Sequence, residues 1–360
     1  MRKRLDLGQM DWVMLGTIMF LSLAGIMVIR SAEATGSAGQ YHLRQAYWLA
    51  MALAAFFIGY LFDRRHLRRS AYVLYGIILL ALVYLAVSGK IIGGVQRWIH
   101  IGGLTLQPSE IGKLTLILCL ARYFHKMKGK PPYSLGDIAI PMGLVAAYVI
   151  PIVLQPDLGT AMFMILLSIP IFLFVGIKRW TVLFTMGIAA IGAPFLFFSL
   201  KGYQQERILS FLSPERDPLG AGYHVVQSRI AIGSGGIMGK GYLQGTQSQL
   251  RFIPEQHTDF IISVLGEEFG FVGIAVVLGL MFFLTLWMLS YLEVTKTRFG
   301  MLTVVGLTCA FAMQVVINIA MTIGFLPVVG LPLPLLSYGG SSLVTTCLGF
   351  GIIAGYRRRR

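Results

Sequence analysis

A succession of long apolar segments constrains this chain more than any other feature of its sequence. Runs apolar enough to sit in hydrocarbon recur at roughly 11–29, 45–62, 71–87, 110–124, 137–154, 158–177, 180–200, 259–290, 301–324 and 335–356, against a span length of about 19 residues. Lipid offers backbone N–H and C=O groups no partners, so each run must satisfy its own hydrogen bonds as a helix. The runs are too long and too uniformly apolar for barrel strands. The expected fold is an all-α integral membrane protein of about ten transmembrane helices, a single polytopic membrane domain over residues 1–360. Composition agrees: 56% of residues are hydrophobic and 12% charged, too little polarity to cover a water-solvated surface.

Charge sets the orientation. The segments 1–10, 63–70, 121–136, 178–179, 291–300 and 357–360 hold 19 of the 30 Lys and Arg residues. The short loops of the opposite side hold Arg30, Arg44, Lys90 and Arg97. By the positive-inside rule both termini are cytoplasmic. The same distribution accounts for a net charge of +15 without nucleic acid, whose binding needs basic residues gathered on one water-exposed surface. Arg2, Lys3 and Arg4 before the first run, and Ala32-Glu33-Ala34 after it, imitate a secretory signal; the run exceeds a signal core, and further spans follow. Cys119, Cys309 and Cys347 lie in apolar runs and read as small core residues.

The one long connection, 201–258, falls on the extracytoplasmic side. Val225, Val226, Ile230 and Ile232 follow Gly222 among polar residues, the pattern of an amphipathic, interfacial helix, before a Gly233-Ser234-Gly235-Gly236 hinge.

Ionisable residues at membrane depth cost about 2.5 kcal/mol or more at the centre, so each needs a partner or a task. Here they gather on one side. Arg97, Glu110, Lys113, Asp157, Arg251, Glu255, His257, Asp259, Glu267 and Glu268 all belong to outer loops or to helix turns near them, which suggests a water-filled cavity opening outward. Asp259 stands between a wet loop and an apolar run. There it either caps a helix start or, partly desolvated, gains the basicity of a general base. Glu267 and Glu268 lie about 12 Å further along the helix and about 100° apart, so they cannot both face one cavity; structural ion pairs suit them. Glu110 and Lys113 share a helical face, where they pair or where Lys113 takes an anionic ligand. Pro108 and Pro156 fit first helical turns, with Ser109 and Asp157 beside them as caps.

His257 has no second His or Cys at zinc spacing. Neither a phosphate-binding Gly-rich loop nor a dinucleotide fingerprint occurs, so no energy or redox cofactor is implied. Ser337 and Ser341 lack a Gly-x-Ser-x-Gly elbow. The prolines and small residues of 330–342 imply a broken, closely packed backbone beside the same cavity.

Four motifs together carry a resemblance. They are Gln107-Pro108-Ser109-Glu110 with Lys113, Gln155-Pro156-Asp157-Leu158-Gly159-Thr160, Pro254-Glu255-Gln256-His257-Thr258-Asp259-Phe260 with Gly266-Glu267-Glu268, and Leu333-Pro334-Leu335-Leu336-Ser337-Tyr338-Gly339-Gly340-Ser341-Ser342. In this order they resemble the SEDS family (shape, elongation, division and sporulation), over essentially the whole chain. Gly245-Thr246-Gln247-Ser248-Gln249-Leu250 and Gln155 are similar to its elongation branch.

The resemblance implies a peptidoglycan glycosyltransferase of the bacterial inner membrane that polymerises lipid II during elongation. It puts Asp259 at the family's catalytic aspartate. It implies cations for the pyrophosphate leaving group, with Arg97, Lys113, Lys240 and Arg251 as candidates, Glu110 beside them, and a divalent ion as a further means. Gln107, Ser109, Asp157, His257, Glu267 and Ser337 are supporting residues. Implied partners are lipid II, the nascent lipid-linked glycan, membrane lipids and a class B penicillin-binding protein transpeptidase. Two rival readings are a lipid II flippase, which would need midplane breaks rather than breaks at one surface, and a noncatalytic scaffold.

Overall fold

The structure, a computed structural model, describes residues 10–34, 40–88, 97–101, 104–199, 202–212, 221–250, 252–253 and 255–358. The chain runs through α1 (Trp12–Glu33), α2 (Tyr41–Leu61), α3 (Arg64–Ser88), β1 (Ile99–Ile101), β2 (Leu104–Leu106), α4 (Pro108–Lys126), α5 (Leu135–Leu154), α6 (Leu158–Val175) and α7 (Arg179–Ser199). The long connection contributes α8 (Gly202–Leu212), α9 (Ala221–Ser234) and α10 (Thr246–Gln249), and α11 (Ile261–Val294), α12 (Arg298–Thr322) and α13 (Gly340–Ala354) complete the fold.

This is an all-α membrane architecture. Six helices, α1, α3, α5, α6, α11 and α12, are long and apolar enough to cross a bilayer. The outward surface of the bundle is apolar: Leu80 and Val87 of α3, Phe195 and Phe198 of α7 and Phe282 of α11 are exposed, as suits helices solvated by acyl chains rather than water.

A helix lies on each expected apolar run, with three departures from expectation. The last run was expected to be helical from 335, yet α13 begins at Gly340. Pro332 and Pro334 lack amide donors, so residues 331–339 run as a buried non-helical strap. The long connection does hold a helix at α9, but its faces are not sorted as expected. Val226 and Ile230 are exposed while Ser228 is fully buried, because its hydroxyl meets Ser263 at 2.7 Å and donates to the Thr322 carbonyl at 2.8 Å. The third departure is a β1–β2 hairpin pairing Ile99 with Leu106 and Ile101 with Leu104. Alternating apolar residues around Gly102-Gly103 are its sequence signal.

At the centre α12 packs against α4, α6, α9, α11 and α13. The α2–α13 contact is the most intimate, since a Cβ at Gly59 or Gly351 would strike the backbone carbonyl of Leu348 or Phe56; small residues permit this approach. α11 is broken at Gly270 (φ 64°, ψ −160°), a conformation open to glycine. The long connection supplies the hydrogen bonds that the break frees. Phe271 and Val272 N–H donate to Gly236 and Ile237 carbonyls at 2.9 and 3.1 Å, and Lys240 and Gly241 N–H to Glu267 and Glu268 carbonyls at 3.0 Å each.

Candidate active site

Two amides on α12, one turn apart, organise the end of the bundle where α4, α6, α11 and α13 begin. The Asn318 amide donates to the Asp259 carbonyl at 3.0 Å and to the Leu331 carbonyl at 2.8 Å. Gln314, four residues earlier, donates to the Pro332 carbonyl at 2.9 Å and accepts from the Lys113 ammonium at 3.0 Å. The strap 331–339 is thereby stitched to α12, with Lys113 bound at Gln314 and the Asp259 backbone at Asn318, two positions about 6 Å apart along the helix axis.

Asp259 lies in the turn before α11 and is partly exposed. The helix cap is Phe260 and makes no side-chain cap bond. Phe260 rather than Asp259 holds the cap position and the helix starts two residues after Asp259, because residues 255–260 turn on the Glu255 carbonyl, which accepts from Thr258 and Asp259 N–H at 3.1 and 3.2 Å. The Asp259 side chain converges with Arg97. A Cβ built on Gly330 would stand 3.7 Å from Asp259 Oδ2 and 3.9 Å from Arg97 Nη1. Carboxylate and guanidinium thus flank one bare stretch of backbone.

Arg97 also approaches the Asp157 carboxylate, with Nε 3.0 Å from Oδ2. The N–H does not point along that line, so the contact is Coulombic rather than a directed hydrogen bond. Asp157 is buried and caps α6 as expected, accepting from Thr160 N–H at 3.2 Å. Ser109 does not cap α4: Gln107 holds that position without a side-chain bond, and Pro108 opens the helix. The Gln107 N–H donates to Ser341 Oγ at 3.1 Å, which ties α4 to α13.

Glu110 and Lys113 pair within α4 at 2.7 Å, both buried. The ammonium also lies 5.1 Å above the Phe163 ring. Beside the pair is a cavity of about 50 Å³ bounded by Leu307, Phe311 and Gln314, room for a water or two.

Other expected site residues have different tasks. Lys240 binds Glu267 at 2.8 Å and Thr246 Oγ1 at 2.8 Å, so its charge meets a fully buried carboxylate before any ligand. Glu267 also accepts from Gln247 and Ser248 N–H at 2.8 and 3.0 Å, which fastens the long connection to α11. Glu268 turns the other way and accepts from the Ser31 hydroxyl of α1. Ser337 Oγ accepts from Leu333 N–H at 2.9 Å and shapes the strap. His257 stacks on Tyr41 with ring centroids 4.4 Å apart, and its carbonyl accepts from Tyr338 N–H at 2.9 Å. Burial lowers the basicity of its imidazole, against the opposing pull of Glu255 and Glu33. Arg251 lies outside the described residues.

Reading motifs missed Gln314, Asn318 and Gln45. Gln45 Nε2 donates to the Ser337 carbonyl at 3.1 Å. Their signal was present: isolated amides in apolar helices, two of them spaced i, i+4 on α12, are costly in lipid unless they have partners.

Residues 4–360 match the family model described as cell cycle protein, which spans FtsW, RodA and SpoVE. The chain belongs to this family. It is 39% identical over 354 residues to the peptidoglycan glycosyltransferase MrdB of Escherichia coli K12, covering 97% of this chain and 95% of that one. Among solved structures it superposes on a chain from work on the structural coordination of polymerization and crosslinking by a peptidoglycan synthase complex, with TM-score 0.83, 32% identity and 97% of each chain covered. The rod shape determining protein RodA of Thermus thermophilus gives TM-score 0.71 at 29% identity, again over 97% of each chain. This FtsW/RodA/SpoVE membership agrees with the SEDS resemblance and with its elongation branch.

Proposed function

We propose that this chain is a peptidoglycan glycosyltransferase that polymerises lipid II at the outer face of the cytoplasmic membrane, with Asp259 as general base. The observation that carries the assignment of the base is the convergence of Asp259 and Arg97 on Gly330, in a chain similar throughout to a peptidoglycan glycosyltransferase.

The Asp259 carboxylate takes the proton of the acceptor sugar hydroxyl as its oxygen attacks the anomeric carbon of the lipid-linked donor. The bond from that carbon to the pyrophosphate oxygen breaks, and lipid pyrophosphate departs with the electron pair. A direct displacement inverts the anomeric centre. Arg97, held off full alignment with Asp157, is the cation best placed for the developing phosphate charge. Lys113 contributes less, because Glu110 already shares its charge. Among the described residues no three of His, Cys, Asp and Glu gather as a metal cage. A divalent cation would enter with the substrate's phosphates, the usual manner of magnesium.

The same reading puts both termini in the cytoplasm, about ten helices across the membrane, and a class B penicillin-binding protein beside the chain, in line with its similarity to a chain of a peptidoglycan synthase complex. Purified protein given lipid II in detergent, with and without the transpeptidase, should yield glycan polymer that disappears in Asp259→Asn. Undiminished polymer from that variant would refute the base. No polymer from either protein, together with lipid II movement across vesicles, would refute the transferase.

A further inference from the structure

At the opposite end of the bundle from Asp259, a cavity of about 850 Å³ opens between the start of α3, the α11–α12 connection and the turn after α13. Its wall presents Arg64, Arg65, Arg68, Lys296, Arg357 and Arg358, against a single carboxylate among the described residues, Glu293. Two further acids stand nearby without cancelling the excess: Asp11 lies 4.0 Å from Arg357, and Asp63 accepts from the Arg65 backbone N–H at 2.8 Å.

A membrane protein scatters cations on its inner loops as a matter of course. Convergence on one concave volume is a different matter. Several of these side chains are also oriented by neutral groups. Arg64 donates to the Gly355 and Arg358 carbonyls and lies 4.7 Å above the Tyr356 ring. Arg358 lies 5.7 Å from the Tyr60 ring, and Arg68 Nη1 is 2.7 Å from His125 Nε2. Planar forks held this way suit phosphate oxygens.

Size and lining narrow the ligand. The volume is near the top of the range for small-molecule sites, about 300–1,000 Å³, which exceeds the need of a bare ion. Val294, Phe299 and Tyr356 supply apolar wall beside the cations. The cavity sits where helices end, the depth of lipid headgroups.

We infer that this cavity binds the phosphate headgroup of an anionic phospholipid in the leaflet opposite the candidate active site. The inference is independent of which residue serves as base.

The test uses the full chain in nanodiscs of mixed phosphatidylglycerol and phosphatidylcholine, with retained lipids counted by native mass spectrometry. The wild type should retain phosphatidylglycerol in preference. Arg65→Gln/Lys296→Gln removes two exposed cavity cations and leaves the core untouched; it should weaken the preference by about tenfold or more. Lys128→Gln/Lys130→Gln removes the same charge at the same end but outside the cavity, and should retain lipid as the wild type does. Equal retention of both lipids by the wild type would overturn the site, and so would equal losses in the two double variants. Complete displacement of phosphatidylglycerol by millimolar inorganic phosphate would assign the cavity to a soluble anion instead.

Discussion

The starts of α4 and α11 meet at the same end of the bundle and handle charge in opposite ways. α4 neutralises itself: Glu110 and Lys113, three residues apart, close an ion pair inside one turn. α11 contains no Lys or Arg over its 34 residues, so the carboxylates at and near its start must recruit partners from distant chain. Glu267 draws in Lys240 and the amides of 247 and 248, and Glu268 draws in Ser31 of α1. Asp259, ahead of the helix, converges with Arg97. The lesson is that a helix without cations organises its surroundings. Of the three carboxylates at and before its start, Asp259 is the least buried.

If that division holds, the largest effect belongs to Asp259. Asp259→Asn should slow polymerisation by about a hundred- to ten-thousand-fold while keeping the Asn318 bond, which is to its backbone carbonyl. A matching loss of midpoint would give Asp259 a structural role like that of its neighbours and break the contrast. In α4 the order reverses. Lys113→Met leaves Glu110 buried without its cation and should cost about 3–5 kcal/mol of stability. Glu110→Gln/Lys113→Met should recover most of it. A double-mutant cycle on the midpoint measures the coupling, and a coupling near zero would mean that the pair is not closed in the folded protein.

Glu267→Gln should cost less, about 1–3 kcal/mol, because Lys240 is partly exposed and can turn to water. The loss should also be local. Hydrogen exchange should accelerate at Gln247 and Ser248, whose amides donate to this carboxylate, with the Lys113 region unaffected. Acceleration spread evenly over the bundle would refute the fastening role.

The contrast also explains what could be read from the sequence. Hydropathy located the helices because lipid imposes one solution on every long apolar run. The Glu110–Lys113 pair was legible because its geometry is local. The Lys240–Glu267 pair was not, since it joins residues 27 apart through a connection whose register no periodicity states. Broken backbone over 330–342 was read from its prolines and small residues even though the apolar run asked for a helix from 335; its attachment was not foreseen, because Gln45, Gln314 and Asn318 act singly from other helices. The break at Gly270 left only a glycine in an apolar run, and the same run holds three other glycines.

The smallest effect concerns His257, beside Asp259 in the turn that α11 leaves outside. Burial against Tyr41 lowers its pKa below the ordinary 6.5, and Glu255 and Glu33 offset this only in part. The neutral ring is therefore the folded form. Below pH 6.5 the unfolded chain takes up the proton first, so stability is complete above that value and declines as pH falls towards the lower folded pKa. The expected loss is the smallest of these effects. Thermal midpoints at pH 8 and 5.5, in wild type and His257→Phe, isolate it: the variant should lose less on acidification, with its aromatic stack on Tyr41 kept. An equal loss in both proteins would show that His257 titrates as it does in water, and that this turn is wetter than its packing implies.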